Sequence, residues 1–85
     1  MSITVKVKLF AAFQDAYHVP ELRLEFPDQT SVSAILDYCI QEHPELEKWR
    51  TLTQFGINLE FASPETLLNH GDEVVLIPPV SGGSF

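Results

Sequence analysis

One amphipathic helix, set between segments that alternate like strands, constrains this fold more than any other feature of the sequence. Ser31 offers an N-cap for the helix, and Pro44 ends it within a residue or two. Between them, apolar residues recur at helical spacing and form a single stripe: Val32, Ile35, Leu36, Cys39 and Ile40. A helix with one apolar stripe must bury it against one face of a sheet. The sequence therefore predicts an α+β domain in which one helix packs on one sheet.

Four segments alternate between apolar and polar residues, as half-buried strands do. They are residues 3–10, 22–26, 57–61 and 73–77. The segment between the first two, which contains Pro20, is predicted to be a loop, and residues 45–50 a further short turn of helix. A hairpin, a helix and then more strands imply a mixed sheet in which a later strand returns beside the first. The predicted fold is a β-grasp (ubiquitin-like), with a mixed four- to five-stranded sheet packed on one main helix.

This fold predicts a set of residues that are buried against each other. They are Val5, Val7, Leu24, Ile35, Leu36, Leu59, Val74 and Leu76.

Size and charge narrow the class of protein. A chain of 85 residues forms one small domain with little room for an enclosed active-site cavity. Its net charge of −7 argues against nucleic acid and anionic membrane surfaces, because binding to either needs a basic footprint. A single cysteine excludes an internal disulfide. Since no leader or membrane-spanning apolar stretch is recognisable, we expect a soluble, cytoplasmic protein.

The last eight residues are the strongest indication of function. Pro78-Pro79 remove two backbone donors, so the chain must leave the sheet after its last strand. Gly82-Gly83 lack Cβ atoms and could pass through a channel too narrow for side chains. We therefore predict a β-grasp domain over residues 1–77 and a flexible tail over residues 78–85, which enters another protein's active site. The alternative is a frayed terminus.

The same residues resemble a known family. The resemblance runs from Ile57-Asn58 through Gly71-Asp72-Glu73-Val74 to Pro78-Pro79-Val80-Ser81-Gly82-Gly83. The opening Val7-Lys8-Leu9-Phe10-Ala11 and the helix start Ser31-Val32 fit the same pattern. This pattern resembles the small subunit of molybdopterin synthase. More broadly, it is similar to the bacterial ubiquitin-like sulfur carriers, which include the thiamine-pathway carrier.

The resemblance implies a role for Gly83. A ubiquitin-activating-type adenylyltransferase would use ATP to adenylate the Gly83 carboxylate, which would then be converted to a thiocarboxylate. The tail would enter the large synthase subunit and donate sulfur to a cyclic pyranopterin phosphate in molybdenum cofactor biosynthesis. The carrier itself would bind no cofactor and would not be an enzyme. The residues implied in tail insertion are Pro78, Pro79, Val80, Ser81 and Gly82.

Ser84-Phe85 depart from the family pattern, in which directly functional members end at the second glycine. A peptide bond at Gly83 leaves no carboxylate to adenylate, so the chain as written is predicted to be an inactive precursor. Resemblance to carriers with such an extension implies removal by a JAMM-type zinc metalloprotease. Three alternatives remain open: a carrier for cysteine, thiamine or another thioacid pathway, a protein modifier conjugated through Gly83, and a β-grasp interaction domain without tail chemistry.

Three apolar residues are candidates for the partner interface. Phe10 shares the strand parity of the lysines before it, so it should lie exposed on the sheet face away from the helix. By resemblance, Phe61 and Ile77 also belong to a docking patch. Phe61 has the parity of the apolar residues in its predicted strand, so a bulge or a strand end is needed to turn it outward.

Other reactive residue types have structural interpretations. Cys39 lies on the apolar stripe and is interpreted as a small buried hydrophobe. His18, His43 and His70 lack ligand spacing, so no metal site is predicted. Trp49 is interpreted as a lid over the end of the helix rather than as an interface anchor.

Overall fold

Residues 1–79 are described by the computed structural model, and they form five strands, two α-helices and one 3₁₀ helix. In chain order the elements are β1 (Ser2–Leu9), α1 (Ala12–Tyr17), β2 (Glu21–Pro27), α2 (Ser33–Glu42), the 3₁₀ helix (Pro44–Trp49), β3 (Gln54–Ile57), β4 (Glu60–Ala62) and β5 (Glu73–Ile77). Residues 80–85, which contain most of the predicted tail, lie outside the described residues. None of the helices in residues 1–79 is long and apolar enough to span a bilayer.

The strands form one mixed sheet in the order β2-β1-β5-β3-β4. The central strand is β5, which runs parallel to β1 and antiparallel to β3. The two outer pairs, β1–β2 and β3–β4, are antiparallel. The register places Leu9 opposite Leu76. The predicted mixed sheet, with the last strand beside the first, is therefore confirmed.

The core lies between this sheet and α2. All five residues of the predicted helix stripe are buried, with at most 6% of their surface exposed. The alternate residues of β1 and β5 belong to the same cluster: Ile3, Val5, Val7, Leu9, Val74 and Leu76. Leu24 is half-buried against this cluster. The predicted core is thus confirmed except at Leu59.

Helix α1 corrects the predicted loop between the first two strands. Phe13, the second residue of this short helix, is fully buried in the core. The helix ends at His18, which has a φ of 62° and donates its N–H to the Gln14 carbonyl at 2.7 Å. Six residues are too few for a helical stripe to be recognised. The helix forms here because it buries Phe13 and packs Ala12, Ala16 and Tyr17 against the same core.

The N-cap prediction at Ser31 is wrong. The helix begins one residue later, with Val32 at its N-cap and no side-chain capping bond. The Ser31 hydroxyl instead lies 3.0 Å from that of Ser33. The N–H groups of Val32 and Ser33, which have no acceptor within the helix, donate to the carbonyls of Thr66 and Pro64, at 2.8 and 3.2 Å. A neighbouring loop therefore satisfies the donors that a capping side chain would otherwise satisfy.

The predicted strand over residues 57–61 is also wrong, because a tight turn divides it into β3 and β4. Ile57 pairs with Glu60, which leaves Asn58 and Leu59 as a two-residue turn. Their φ angles are 51° and 73°, and positive values at both central residues are typical of a type I′ hairpin turn. Leu59 consequently points to solvent and is 91% exposed rather than buried.

Candidate functional site

The central strand β5 leads directly into the predicted tail. Ile77 ends the strand opposite Gln54 of β3, and the half-buried Pro78-Pro79 follow at once. Because proline has no N–H, neither residue can extend the hydrogen-bonded ladder. The tail therefore begins at the end of the central strand. The other predicted tail residues, Val80, Ser81, Gly82 and Gly83, lie outside the described residues.

A row of paired residues crosses the sheet on the side away from α2, which we call the outer face. In strand order it consists of Glu21, Lys8, Val75, Gly56 and Phe61. Directly opposed residues point to the same side of a sheet. Phe61 therefore projects from the outer face, where it is 78% exposed. The two-residue turn before β4 supplies the change of parity that this orientation needs.

Phe10 and Ile77 follow the last pair of residues that joins β1 to β5. Leu9 of β1 pairs with Leu76 of β5, and Phe10 and Ile77 are the residues that come directly after this pair. Phe10 is 48% exposed, as its strand parity predicts, and Ile77 is half-buried. Phe10 and Ile77 thus follow paired residues of adjacent strands, and the third predicted interface residue, Phe61, lies on β4, which β5 and β3 separate from β1.

Phe61 belongs to an apolar groove on the outer face, with a volume of about 160 Å³. The groove is lined by Gly56, Leu59, Glu60, Phe61, Val75 and Ile77. Among these residues, Leu59 is the one that the sequence predicts to be buried and the structure places on the surface. The signal that could have found it is Asn58 between two alternating runs, because asparagine favours the first position of a type I′ turn.

Beside this groove, the outer face carries charged residues of both signs. Lys6 of β1 lies directly opposite Arg23 of β2. Lys8 lies 3.6 Å from Glu73 and opposite Glu21. Three of the five basic residues in the chain therefore lie on β1 and β2. Glu21, Glu25 and Glu73 share this face with them, so a partner would meet an apolar half and a half with charges of both signs.

The reactive side chains behind the sheet form a separate cluster that does not reach the outer face. Cys39 is fully buried, and burial raises the pKa of its thiol to about 11. Burial, together with a 2.7 Å hydrogen bond from its hydroxyl to Glu42, raises the pKa of Tyr17. The His43 ring packs edge-on against Tyr17 at a centroid distance of 4.5 Å. At neutral pH the Cys39 thiol is protonated, which agrees with its interpretation as a structural residue.

The remaining candidates are placed apart. In residues 1–79, no group of three or more His, Cys, Asp or Glu side chains is arranged to hold a metal ion. His70 has a structural role, because its Nδ1 accepts a hydrogen bond from the backbone N–H of Thr4 at 3.0 Å. Trp49 is half-buried against the core, with the Lys48 ammonium 5.3 Å from its ring centroid. This packing agrees with a structural role for Trp49.

The sheet order, the parallel pairing of the first and last strands and the single main helix define a ubiquitin-like β-grasp protein. The model of the ThiS family matches residues 7–83. This chain therefore belongs to the ThiS family. The match includes the central strand, the two prolines and both glycines of the tail, and Ser84-Phe85 lie beyond it.

Individual proteins agree with this membership. The molybdopterin synthase sulfur carrier subunit of Arabidopsis thaliana is 34% identical, over 96% of this chain and 85% of that protein. The corresponding subunit of Chlamydomonas reinhardtii is 35% identical, over 93% of this chain and 98% of that protein. The solution structure of small archaeal modifier protein 1 from Methanosarcina acetivorans is 29% identical, with a TM-score of 0.76 over 98% of this chain and 99% of that one. The comparisons confirm the predicted family, fold and role as a sulfur carrier rather than an enzyme.

Proposed function

We propose that this protein is the sulfur carrier of a molybdopterin synthase and delivers sulfur as a thiocarboxylate on Gly83. The observation that carries the proposal is that the family match continues through the second glycine of the tail. The fold supports it, because the tail begins at the end of the central strand and next to an exposed apolar patch. A small domain of this kind provides delivery and docking, while its partners hold the catalytic groups.

The chemistry proposed for Gly83 has two steps before transfer. Its carboxylate attacks the α-phosphorus of ATP on a ubiquitin-activating-type adenylyltransferase, and pyrophosphate leaves. A sulfide equivalent then displaces AMP at the acyl carbon, which leaves a thiocarboxylate. Adenylation is needed because a carboxylate is a poor electrophile without a good leaving group. ATP is bound by the partner, and the carrier is proposed to hold no cofactor of its own.

Two partners are proposed to use the outer face in turn, the adenylyltransferase and the large synthase subunit. Each would cover Phe10, Phe61 and Ile77 while the tail lies in its active site. Exposed aromatic side chains beside a groove are typical anchors of such interfaces. In the large subunit, the thiocarboxylate would transfer its sulfur to a cyclic pyranopterin phosphate. The large subunit itself would position that substrate.

We also propose that the Gly83–Ser84 peptide bond must be cleaved before activation. This bond occupies the carboxyl group that ATP would have to adenylate. Hydrolysis adds water across the bond and frees the carboxylate of Gly83, and a JAMM-type zinc metalloprotease is the proposed catalyst. The end of the family match at residue 83 supports this assignment of the processed end.

The proposal is tested with two forms of the protein, the full chain and a chain that ends at Gly83. With the adenylyltransferase and ATP, the shorter form should release pyrophosphate, and with a sulfur donor its mass should increase by the exchange of one oxygen for sulfur. The full chain should do neither. A Gly82→Val variant of the short form should remain folded but react slowly, because it adds a side chain where the channel is narrow. Adenylation of the full chain would overturn the processing step, and an inert short form would overturn the carrier role.

A protein modifier is the second candidate function, and the similarity to small archaeal modifier protein 1 is the observation that favours it. In that case, Gly83 would be joined by an isopeptide bond to lysines of other proteins. Intact mass and peptide analysis of the protein from its own cells distinguish the two. A thiocarboxylate at Gly83 supports the carrier, and Gly83 remnants on lysines support the modifier. If the thiocarboxylate is found but the large synthase subunit does not accept its sulfur, the result supports a carrier for cysteine, thiamine or another thioacid pathway.

A further inference from the structure

The turn between β3 and β4 has an unfavourable backbone conformation. Leu59 has a φ of 73°, in the left-handed region where a Cβ atom crowds the backbone and glycine is preferred. Asn58, with a φ of 51°, is better suited because asparagine tolerates this region. The leucine side chain gains little in the isolated protein, since it is 91% exposed. Neither its backbone nor its side chain therefore explains why leucine stands at this position.

Hydrogen bonds hold this turn against the start of β5. The Asn58 N–H donates to the Glu73 carbonyl at 2.8 Å, and the Glu73 N–H donates to Asn58 Oδ1 at 3.0 Å. Asn58 Nδ2 donates to Oδ1 of Asp72 at 3.0 Å. Asp72 is 8% exposed, and its second carboxylate oxygen accepts the Asn69 N–H at 2.8 Å. A conformation unfavourable for leucine is thus fixed by its surroundings, as often occurs at binding sites.

Leu59 lies on the surface that a protein enclosing the tail would contact. It lines the apolar groove together with Phe61 and Ile77. Ile77 is also the last strand residue before Pro78, so the groove and the tail share a boundary. A protein that takes up residues 78–83 must therefore lie against this edge of the outer face.

We propose that the Asn58–Leu59 turn is a contact element for the large synthase subunit, in which Leu59 forms the rim of a groove that receives one apolar side chain of that subunit. This inference rests on the proposed function and adds a residue to the interface. The volume of the groove, about 160 Å³, suits a single aliphatic or aromatic side chain. Asn58 acts as the positioning residue, because its hydrogen bonds keep the leucine in place.

A contact role and a structural role of Leu59 predict different results. Only the contact role predicts that one substitution raises the stability of the protein and weakens its binding. In the form that ends at Gly83, Leu59→Asn should raise the melting temperature, since asparagine tolerates a positive φ better than leucine. The same substitution should weaken binding to the large subunit by about tenfold, as loss of an interface anchor does. Leu59→Gly should also weaken binding. Binding is measured by titration calorimetry and stability by circular dichroism.

Leu67→Asn is the matched control, because Leu67 is a 53% exposed leucine that does not line the groove. It should leave the affinity unchanged. Unchanged affinity of Leu59→Asn would overturn the inference, and so would a lowered melting temperature together with weak binding, since the turn would then be structural. If the unaltered short form does not bind the large subunit, the proposed function itself fails. These two failures are therefore distinguishable.

Discussion

Cys39 shows how the environment of one residue decides its chemistry. Its side chain is completely enclosed between α2 and the sheet, within contact of the Tyr17 hydroxyl. Burial disfavours the thiolate, and for this reason the pKa of Cys39 is raised to about 11 from an ordinary value of about 8.5. Since the thiolate is the nucleophilic form, this cysteine takes no part in the sulfur chemistry proposed for the tail.

The raised pKa of Cys39 predicts a loss of stability at alkaline pH. Below about pH 8.5 the thiol is protonated in both states, so it contributes no pH dependence. Between about pH 8.5 and 11 the unfolded chain loses this proton while the folded protein retains it, and the free energy of unfolding therefore falls. Urea unfolding at a series of pH values should show a smaller fall for Cys39→Ala than for the unaltered protein. Equal falls would contradict the prediction.

Helix α2 is the element that joins the two layers, and its stripe predicts a clear mutational effect. Leu36 is 4% exposed within the core cluster. Leu36→Ala should lower the free energy of unfolding by about 2–5 kcal/mol, because it removes buried methyl groups and leaves a cavity. This is a large part of the roughly 5–15 kcal/mol typical of a domain. The measurement is urea denaturation followed by circular dichroism.

Gln41→Ala is the control for this prediction, because Gln41 lies on the exposed side of the same helix. It should change the free energy of unfolding by about 0.5 kcal/mol at most. An effect of Leu36→Ala as small as that of the control would show that α2 does not pack as described.

At the scale of the whole molecule, the two faces of the sheet differ in what they contact. The side against α2 holds the core, and the outer face holds an apolar groove and charged residues of β1 and β2, with exposed Phe10 directly after β1. The central position of β5 allows its last residue to contribute to the outer face while the chain continues into the tail. In the proposed function, docking and delivery are thus coupled through one strand.

This division predicts that Phe10→Asp leaves the fold intact but weakens the complexes with the adenylyltransferase and the large subunit. The half-exposed ring contributes little to folding, whereas burial of a carboxylate in an interface is unfavourable. We expect a loss of about 2 kcal/mol or more in binding, as for other aromatic anchors. Titration calorimetry measures the loss, and circular dichroism checks the fold.

Gln41→Asp adds the same charge on the helical side of the molecule and serves as the control. It should bind like the unaltered protein. If both variants bind equally well, Phe10 is not part of the interface.

The predicted and observed elements differ where local periodicity is ambiguous. The strands β1 and β5 and the helix α2 were predictable because several consecutive residues follow one period and bury one side. The segment 57–61 alternates equally well, yet it is a hairpin. A two-residue turn leaves the alternation in sequence unchanged but reverses which residues face the core. As a result, Leu59 was predicted to be buried, and the outward orientation of Phe61 needed an irregularity that the sequence alone could not locate.

The sequence by itself determined the family pattern, the single helix layer, the exposure of Phe10 and the point at which the chain leaves the sheet, because periodicity and proline chemistry act locally. Tertiary structure alone decided three further features. Packing of Phe13 and its neighbours on the core makes α1 a helix, backbone carbonyls of a distant loop replace the Ser31 cap, and the contacts of Asn58 with β5 hold Leu59 at the groove. Each of these depends on partners that are far away in the chain, and such partners leave no periodic signal in the sequence.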